Sequence, residues 1–440
     1  MFTFTHQTLP SSLQVVTIPM ASVESVTVLV LANTGSRYET AKEEGIAHFL
    51  EHMVFKGTAN YPDAQAISLA IDELGADSNA FTSKEYTGYY VKSAARHVSR
   101  ALDVVSDMLL TPKLLQEDID REKGVIIEEI NMYKDTPMRH ISELFEEMTF
   151  LGTGLSHDVA GSKDSVSALN REDFVAFIKK WYGLGNLIVV LAGHASTVES
   201  PATLKLVADA FDKKSADQSL NQRPAEKIAV EPFLSSASPA GPFSDKRLHI
   251  ENRPTEQAHL VLGWPGLARS DERRHAQLLL GTILGGNMSS RLFTEVREKR
   301  GLCYYVRSDV DYYHDGGVFG ASAGVDPKRI EEALDVIIAE FNALAHGDKP
   351  VTADELSKAK EYVSGTTVLS FEDSRSVAQY FGLKLTLNNK IESPDILLEK
   401  IRAVTLEQVQ SLAAQLVKSG EMRLAVIGPY ADAKRFERFV

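Results

Sequence analysis

The sequence predicts two related α+β domains, each a largely antiparallel sheet packed with helices. Three observations carry that prediction. At 440 residues the chain exceeds one ordinary hydrophobic core, so two or more domains are expected. The order strand, helices, hairpin, helices, strand runs through it twice. Between the two runs, residues 214–246 are rich in Ser, Ala, Gln, Asn and Pro and read as a linker. The expected domains are therefore 1–213 and 247–440.

The first run opens with Ser25–Leu31, an apolar, β-branched stretch that reads as a buried strand. A polar loop containing Gly35 follows, then an apolar helix that stops near Lys56-Gly57-Thr58. Asp63 is placed to cap a second helix ending at Leu74, with Gly75 just after it. Asn79–Ser83 and Tyr86–Val91 read as two short strands joined by a tight turn. Helices are expected at Ala94–Leu110, Gln116–Tyr133 and Pro137–Met148, and at Arg171–Tyr182 behind the cap Asn170. Leu187–Gly193 closes the run as a strand.

In the second run His259–Gly263 is a strand, and helices follow at Glu272–Leu284 and Ser289–Lys299. Cys303–Tyr312 and Gly317–Gly324 form a hairpin around His314-Asp315-Gly316. After further helices, Met422–Gly428 closes the second unit.

Composition removes several classes of function. A formal net charge of -13 argues against a nucleic-acid binder, which would carry a basic stripe. No apolar run is long enough to span a bilayer, and the N-terminus has no basic segment followed by an apolar one, so a cytoplasmic location without membrane partners is expected. Cys303 is the only cysteine, which excludes an intramolecular disulfide and any thiolate-rich metal site. A metal would have to be held by His and carboxylate.

The chain contains such a set. His48-Phe49-Leu50-Glu51-His52 lies in an otherwise apolar helical segment, Ile46 to Phe55. At about 100° per residue, the two imidazoles point about 40° apart, and Glu51 shares their face. Two His ligands and an adjacent carboxylate base suit a divalent metal that activates water. A third protein ligand is still needed. The segment Glu122–Ile130 can supply it, because Glu122 and Glu129 stand seven apart on one face of a helix that otherwise looks packed. Carboxylates repeated on an apolar face need a partner, and a cation provides one. The matching helix of the second run has Glu272 and His275 but no second His, which makes His275 a surface or packing residue and leaves one metal site, in the first domain.

These residues resemble the inverted-motif zinc metallopeptidases of the pitrilysin, insulin-degrading enzyme and mitochondrial processing peptidase group. The resemblance covers nearly the whole chain. It rests on Gly45–Met53 with Phe55-Lys56-Gly57-Thr58, on Glu129 77 positions after His52, on Asn79-Ala80-Phe81-Thr82-Ser83, and on Arg297 and Tyr304. The length is similar to the short-subunit, processing-peptidase-like branch.

The resemblance implies one Zn²⁺ per chain, held by His48, His52 and Glu129, with Glu122 supporting the site from behind. Glu128 competes with Glu129 as ligand, and the family spacing favours Glu129. Glu51 is then the general base in peptide hydrolysis. Asn79, Ala80, Phe81 and Thr82 become an edge strand that takes an extended peptide. Arg297 and Tyr304 become a substrate grip and an oxyanion donor. Family members enclose their substrates in a four-domain clamshell. A chain with two domains is half of one, so a homodimer is expected, with a heterodimer as the competing arrangement. The alternative function is that of a non-catalytic structural or substrate-binding subunit, from which part of the metal set would be missing.

Overall fold

The computed structural model describes residues 3–216, 245–347 and 349–440, and most of the expected linker, residues 217–244, lies outside them. The strands form two sheets. The first contains β1 (Thr5–Thr8), β2 (Gln14–Met20), β3 (Ser25–Ala32), β4 (Asp77–Thr82), β5 (Thr87–Ala94) and β6 (Leu187–His194), in the order β1-β2-β6-β3-β5-β4. The second contains β7 (Leu248–Asn252), β8 (Ala258–Gly266), β9 (Cys303–Tyr312), β10 (Gly317–Val325) and β11 (Arg423–Gly428), in the order β7-β11-β8-β10-β9.

Leaving β1 aside, the two orders are the same. In each sheet the first strand of the run pairs in parallel with the last, β2 with β6 and β7 with β11, while the other pairs are antiparallel. The repeat seen in the sequence is thus a repeat of topology, and the α+β fold class holds.

The chain divides into two compact units, and neither is a continuous stretch. The first unit takes in Val368–Asp395 from late in the chain, and the second takes in Asn131–Ser156 from early in it. In the first unit, helix Ser374–Asn388 lies on the sheet and sets Val377, Ala378, Phe381 and Leu385 against Leu29 and Leu31 of β3 and Ile188 and Val190 of β6. In the second unit, helix Pro137–Thr149 does the same with Ile141, Leu144, Phe145 and Met148 against Val261, Val318, Ala425 and Ile427. Helices also cover the opposite face of each sheet. A central strand covered on both faces reads as an unbroken apolar run, which is why Ser25–Leu31 was recognisable.

Other elements depart from expectation. β1, β2 and β7 have no counterpart among the strands expected from the sequence, the first of which starts at Ser25. β2 carries Pro19 and two polar residues, and β7 has no fully buried side chain, so neither shows a long apolar run. The expected helix Ser289–Lys299 is present from Arg291 to Glu298, but it is π-helical over Phe293–Glu298, and Lys299 N–H donates to Thr294 O at 3.0 Å. His275 is buried within helix Arg274–Gly285, as a packing residue. Among the described residues, no helix is long and apolar enough to cross a membrane.

Candidate metal centre

The centre is built on helix Ile46–Met53 of the first unit. Its buried face carries Ile46, Ala47, Phe49, Leu50 and Met53, and the Phe49 ring meets Phe174 edge-on at 4.9 Å. That packing fixes the helix in rotation and so aims His48 and His52 to one side. Gly45 enters the helix at φ 89°, where L side chains are strained, and a Cβ there would sit 2.7 Å from Ala160 O.

Helix Gln116–Lys134 supplies the carboxylates. Its buried stripe is Ile119, Glu122, Ile126 and Ile130. Glu129 lies beside that stripe, and its Oε2 is 3.7 Å from His48 Nε2 and 3.4 Å from His52 Nε2. One ligand atom from each of His48, His52 and Glu129 lies within 4.8 Å of the others. Atoms about 2.0–2.1 Å from a tetrahedral zinc stand roughly 3.4 Å apart, so the donor set and its spacing fit that ion. Glu128, one residue earlier, is exposed and outside the group.

Behind the ligands, His52 Nδ1 is 3.0 Å from Glu122 Oε1, and Glu122 Oε2 is 2.6 Å from Lys56 Nζ. A carboxylate on the far nitrogen of a ligating imidazole fixes its tautomer and raises its basicity. Burial works to raise the Glu122 pKa, but the bonds to His52 and Lys56 prevail and hold it below its ordinary value.

Glu51 is largely enclosed. One of its oxygens, Oε2, accepts the Thr82 hydroxyl at 2.6 Å. Burial raises its pKa, and Glu129 adds to the rise, while Thr82 and His52 oppose it. The carboxylate is therefore a better base than a solvated Glu.

Thr82 ends β4, the edge strand of its sheet. Ser83 N–H donates to Tyr86 O at 2.9 Å, so antiparallel alternation turns the main-chain groups of Phe81 and Asn79 toward β5 and those of Thr82 and Ala80 toward the open side. On that side Ala80 N–H donates to the Asn79 amide oxygen at 2.9 Å. The open strand edge and the His-His-Glu group thus meet at the Thr82–Glu51 bond.

A family model described as Insulinase (Peptidase family M16) matches residues 14–163, and one described as Peptidase M16 inactive domain matches residues 168–363. A Streptomyces coelicolor protein described as an uncharacterized zinc protease is 39% identical over 431 residues, covering 98% of this chain and 90% of that protein. The chain belongs to the M16 peptidase family. A Bacillus subtilis relative, also named as an uncharacterized zinc protease, is 32% identical over 415 residues, 93% of this chain and 94% of its own. A protease from Helicobacter pylori has the same fold, with a TM-score of 0.85 at 22% identity, covering 98% of this chain and all of that one. So does an M16 inactive domain from Pseudomonas fluorescens, with a TM-score of 0.84 at 21% identity, covering 98% of this chain and 99% of that one. The first M16 model spans the whole His48–Glu129 group. In the part matched by the model described as inactive, no such group occurs among the described residues.

The remaining expected site residues, Arg297 and Tyr304, belong to the second unit. They lie close to each other, with the Arg297 guanidinium 5.8 Å from the Tyr304 ring centroid and 4.8 Å from that of Phe293. Tyr304 is 74% exposed, unusual for an aromatic on a strand. Sequence reasoning missed two partners of the centre. Lys56 stands in the sequence only as part of the Phe55–Thr58 motif, although a buried Glu behind a histidine calls for a counter-cation nearby. Thr82 reads in sequence as an edge-strand residue with no link to Glu51, because side-chain contacts across 31 positions leave no periodic mark.

A metal entering this centre would compete with protons. Burial lowers the His52 pKa, but the bonds to Glu122 and Glu129 outweigh it and raise the value to about 9 in the metal-free protein. Below that pH a proton occupies the ring and an incoming cation must displace it. Apparent zinc affinity is therefore expected to climb through neutral pH and level off above about 9. Chelator competition at a series of pH values measures this; a flat profile between roughly pH 6 and 8 would contradict it.

Proposed function

We propose that this chain is a zinc-dependent endopeptidase that hydrolyses extended, unfolded peptides or presequences, with Glu51 as the general base. The observation that carries the reading is the junction of the His48–His52–Glu129 group with an open strand edge through the Thr82–Glu51 hydrogen bond. An ion held by His48, His52 and Glu129 supplies Lewis acidity and lowers the pKa of water there.

The remaining steps belong to the protein. A peptide adds to β4 as a further strand, pairing with the outward main-chain groups of Ala80 and Thr82. Such pairing demands an extended chain and reads its side chains weakly. Glu51 takes a proton from the attacking water and returns it to the leaving amine. Thr82 keeps the carboxylate facing the reacting bond, and Glu122 with Lys56 holds the His52 ring in place. Tyr304 donates a hydrogen bond to the developing oxyanion, and Arg297 grips the substrate main chain. Their exposure and their proximity to each other support these roles.

Both motifs occur in one chain that carries half of the domains of a clamshell. A homodimer with two shared sites follows, each pairing Glu51 of one copy with Tyr304 of the other. Purified protein should contain about one zinc per chain and lose peptide cleavage on chelation. Purified protein that contains no zinc would favour the non-catalytic subunit. Mixing Glu51→Gln chains with Tyr304→Phe chains should restore part of the activity, since one of the two sites in a mixed dimer is whole. Absence of rescue despite demonstrated subunit exchange argues against the shared site.

A further inference from the structure

Glu39 is only 5% exposed and has no part in the site described above. Its Oε2 accepts Gly45 N–H and its Oε1 accepts Ala47 N–H, each at 2.8 Å. These amides belong to the first turn of helix Ile46–Met53, whose N-terminal N–H groups have no partners within the helix. Gly45 has no side chain to cap them, so the acceptor comes from six residues upstream. A carboxylate there also meets the positive end of the helix dipole.

The same loop is tied to the turn that follows β4. Ser36 N–H donates to Ser83 O at 3.2 Å, and Arg37 N–H to Lys84 O at 2.9 Å. The Arg37 guanidinium pairs with Glu85 at 2.7 Å, both side chains 2% exposed. A Cβ on Gly35 would lie 2.1 Å from Ser83 O, so only glycine lets the two backbones run this close. Gly35–Glu39 therefore holds the β4 turn at one end and the start of the metal-bearing helix at the other. The Thr82–Glu51 bond closes the triangle.

We propose that Gly35–Glu39 is a positioning clamp, in which Glu39 sets the placement of helix Ile46–Met53 against β4 and hence the register between an added substrate strand and Glu51. Glu39 is a positioning residue and touches neither metal nor substrate. The proposal rests on the zinc-peptidase reading for its effect on catalysis, but not for its effect on the metal site.

Glu39→Gln in the full-length protein tests it. Glutamine keeps the volume and one acceptor but turns an NH₂ group toward the second amide N–H, donor against donor. Zinc affinity of the folded variant, by chelator competition, should fall by up to about tenfold, the lower end of what loss of a group bonded directly to a metal ligand costs, because Glu39 acts on the ligands only through the helix. The visible spectrum of the Co²⁺-substituted protein should shift, and kcat should fall more than KM rises. Arg37→Lys, at the other end of the clamp, should raise KM and leave zinc affinity unchanged. A Glu39→Gln protein that melts at lower temperature but keeps wild-type zinc affinity, cobalt spectrum and kcat overturns the clamp, because Glu39 then only stabilises the fold. If that variant does not fold, Glu39→Asp, whose shorter carboxylate reaches one amide, is measured against the same criteria. If wild-type protein cleaves no peptide, the proposed function falls, and zinc affinity and the cobalt spectrum still decide the clamp.

Discussion

Glu51→Gln leaves zinc content unchanged and lowers kcat by about 10²- to 10⁴-fold, the usual contribution of a positioned general base. The substitution keeps the shape of the side chain, and the Thr82 hydroxyl at 2.6 Å can still donate to the amide oxygen. None of the three side chains placed to hold a metal is altered. What is lost is the capacity to accept a proton from water. Burial, aided by Glu129, raises the Glu51 pKa. A base must be ionised to act, so rate falls as pH drops through that raised pKa, and the variant loses this limb of the profile. The measurement is steady-state kinetics on a peptide with metal content determined on the same sample. Wild-type kcat in a zinc-loaded variant would remove Glu51 from the mechanism.

Glu129→Gln abolishes stable zinc binding, whereas Glu128→Gln does not. The two residues are neighbours in sequence and chemically identical, but only Glu129 reaches both imidazoles, at 3.4 and 3.7 Å. Glu128 is exposed on the same helix. Loss of a direct ligand should exceed the tenfold to hundredfold typical of outer partners. Peptide cleavage should fall in parallel and recover partly at high zinc. Equal losses in the two variants, measured by chelator competition, would mean that the helix carrying them rotates when metal binds.

The contrast between Glu128 and Glu129 shows how much of the site could be read in one dimension. Residues on one helix are related by a fixed rotation, so His48 with His52, and Glu122 with Glu129, announce shared faces through their spacing alone. The hairpins and buried strands were equally legible, because β3 and β6 are covered on both faces and keep continuous apolar runs. Elements with weaker burial patterns, β1, β2 and β7, were not.

The exchanged helices Pro137–Thr149 and Ser374–Asn388 were visible as amphipathic segments in the one case and as part of an undivided helical region in the other. Nothing in their own periodicity says which sheet an apolar face will cover. Two sheets offer apolar faces, and hydrophobic burial has no direction.

Sequence alone determined the repeated α+β architecture, the metal-ligating residue types, and the four- and seven-residue spacings that present them, since these follow from local periodicity and from the limited chemistry of His and Glu. Tertiary structure decided the rest. It brought Glu129 rather than Glu128 to the two histidines, paired Glu122 with Lys56, bound Glu51 to Thr82 on an open edge, and anchored the metal-bearing helix on Glu39. Each of these is a directional polar contact between chain segments. Its geometry depends on how the elements pack, and packing distances are not written in the spacing of residues along the chain.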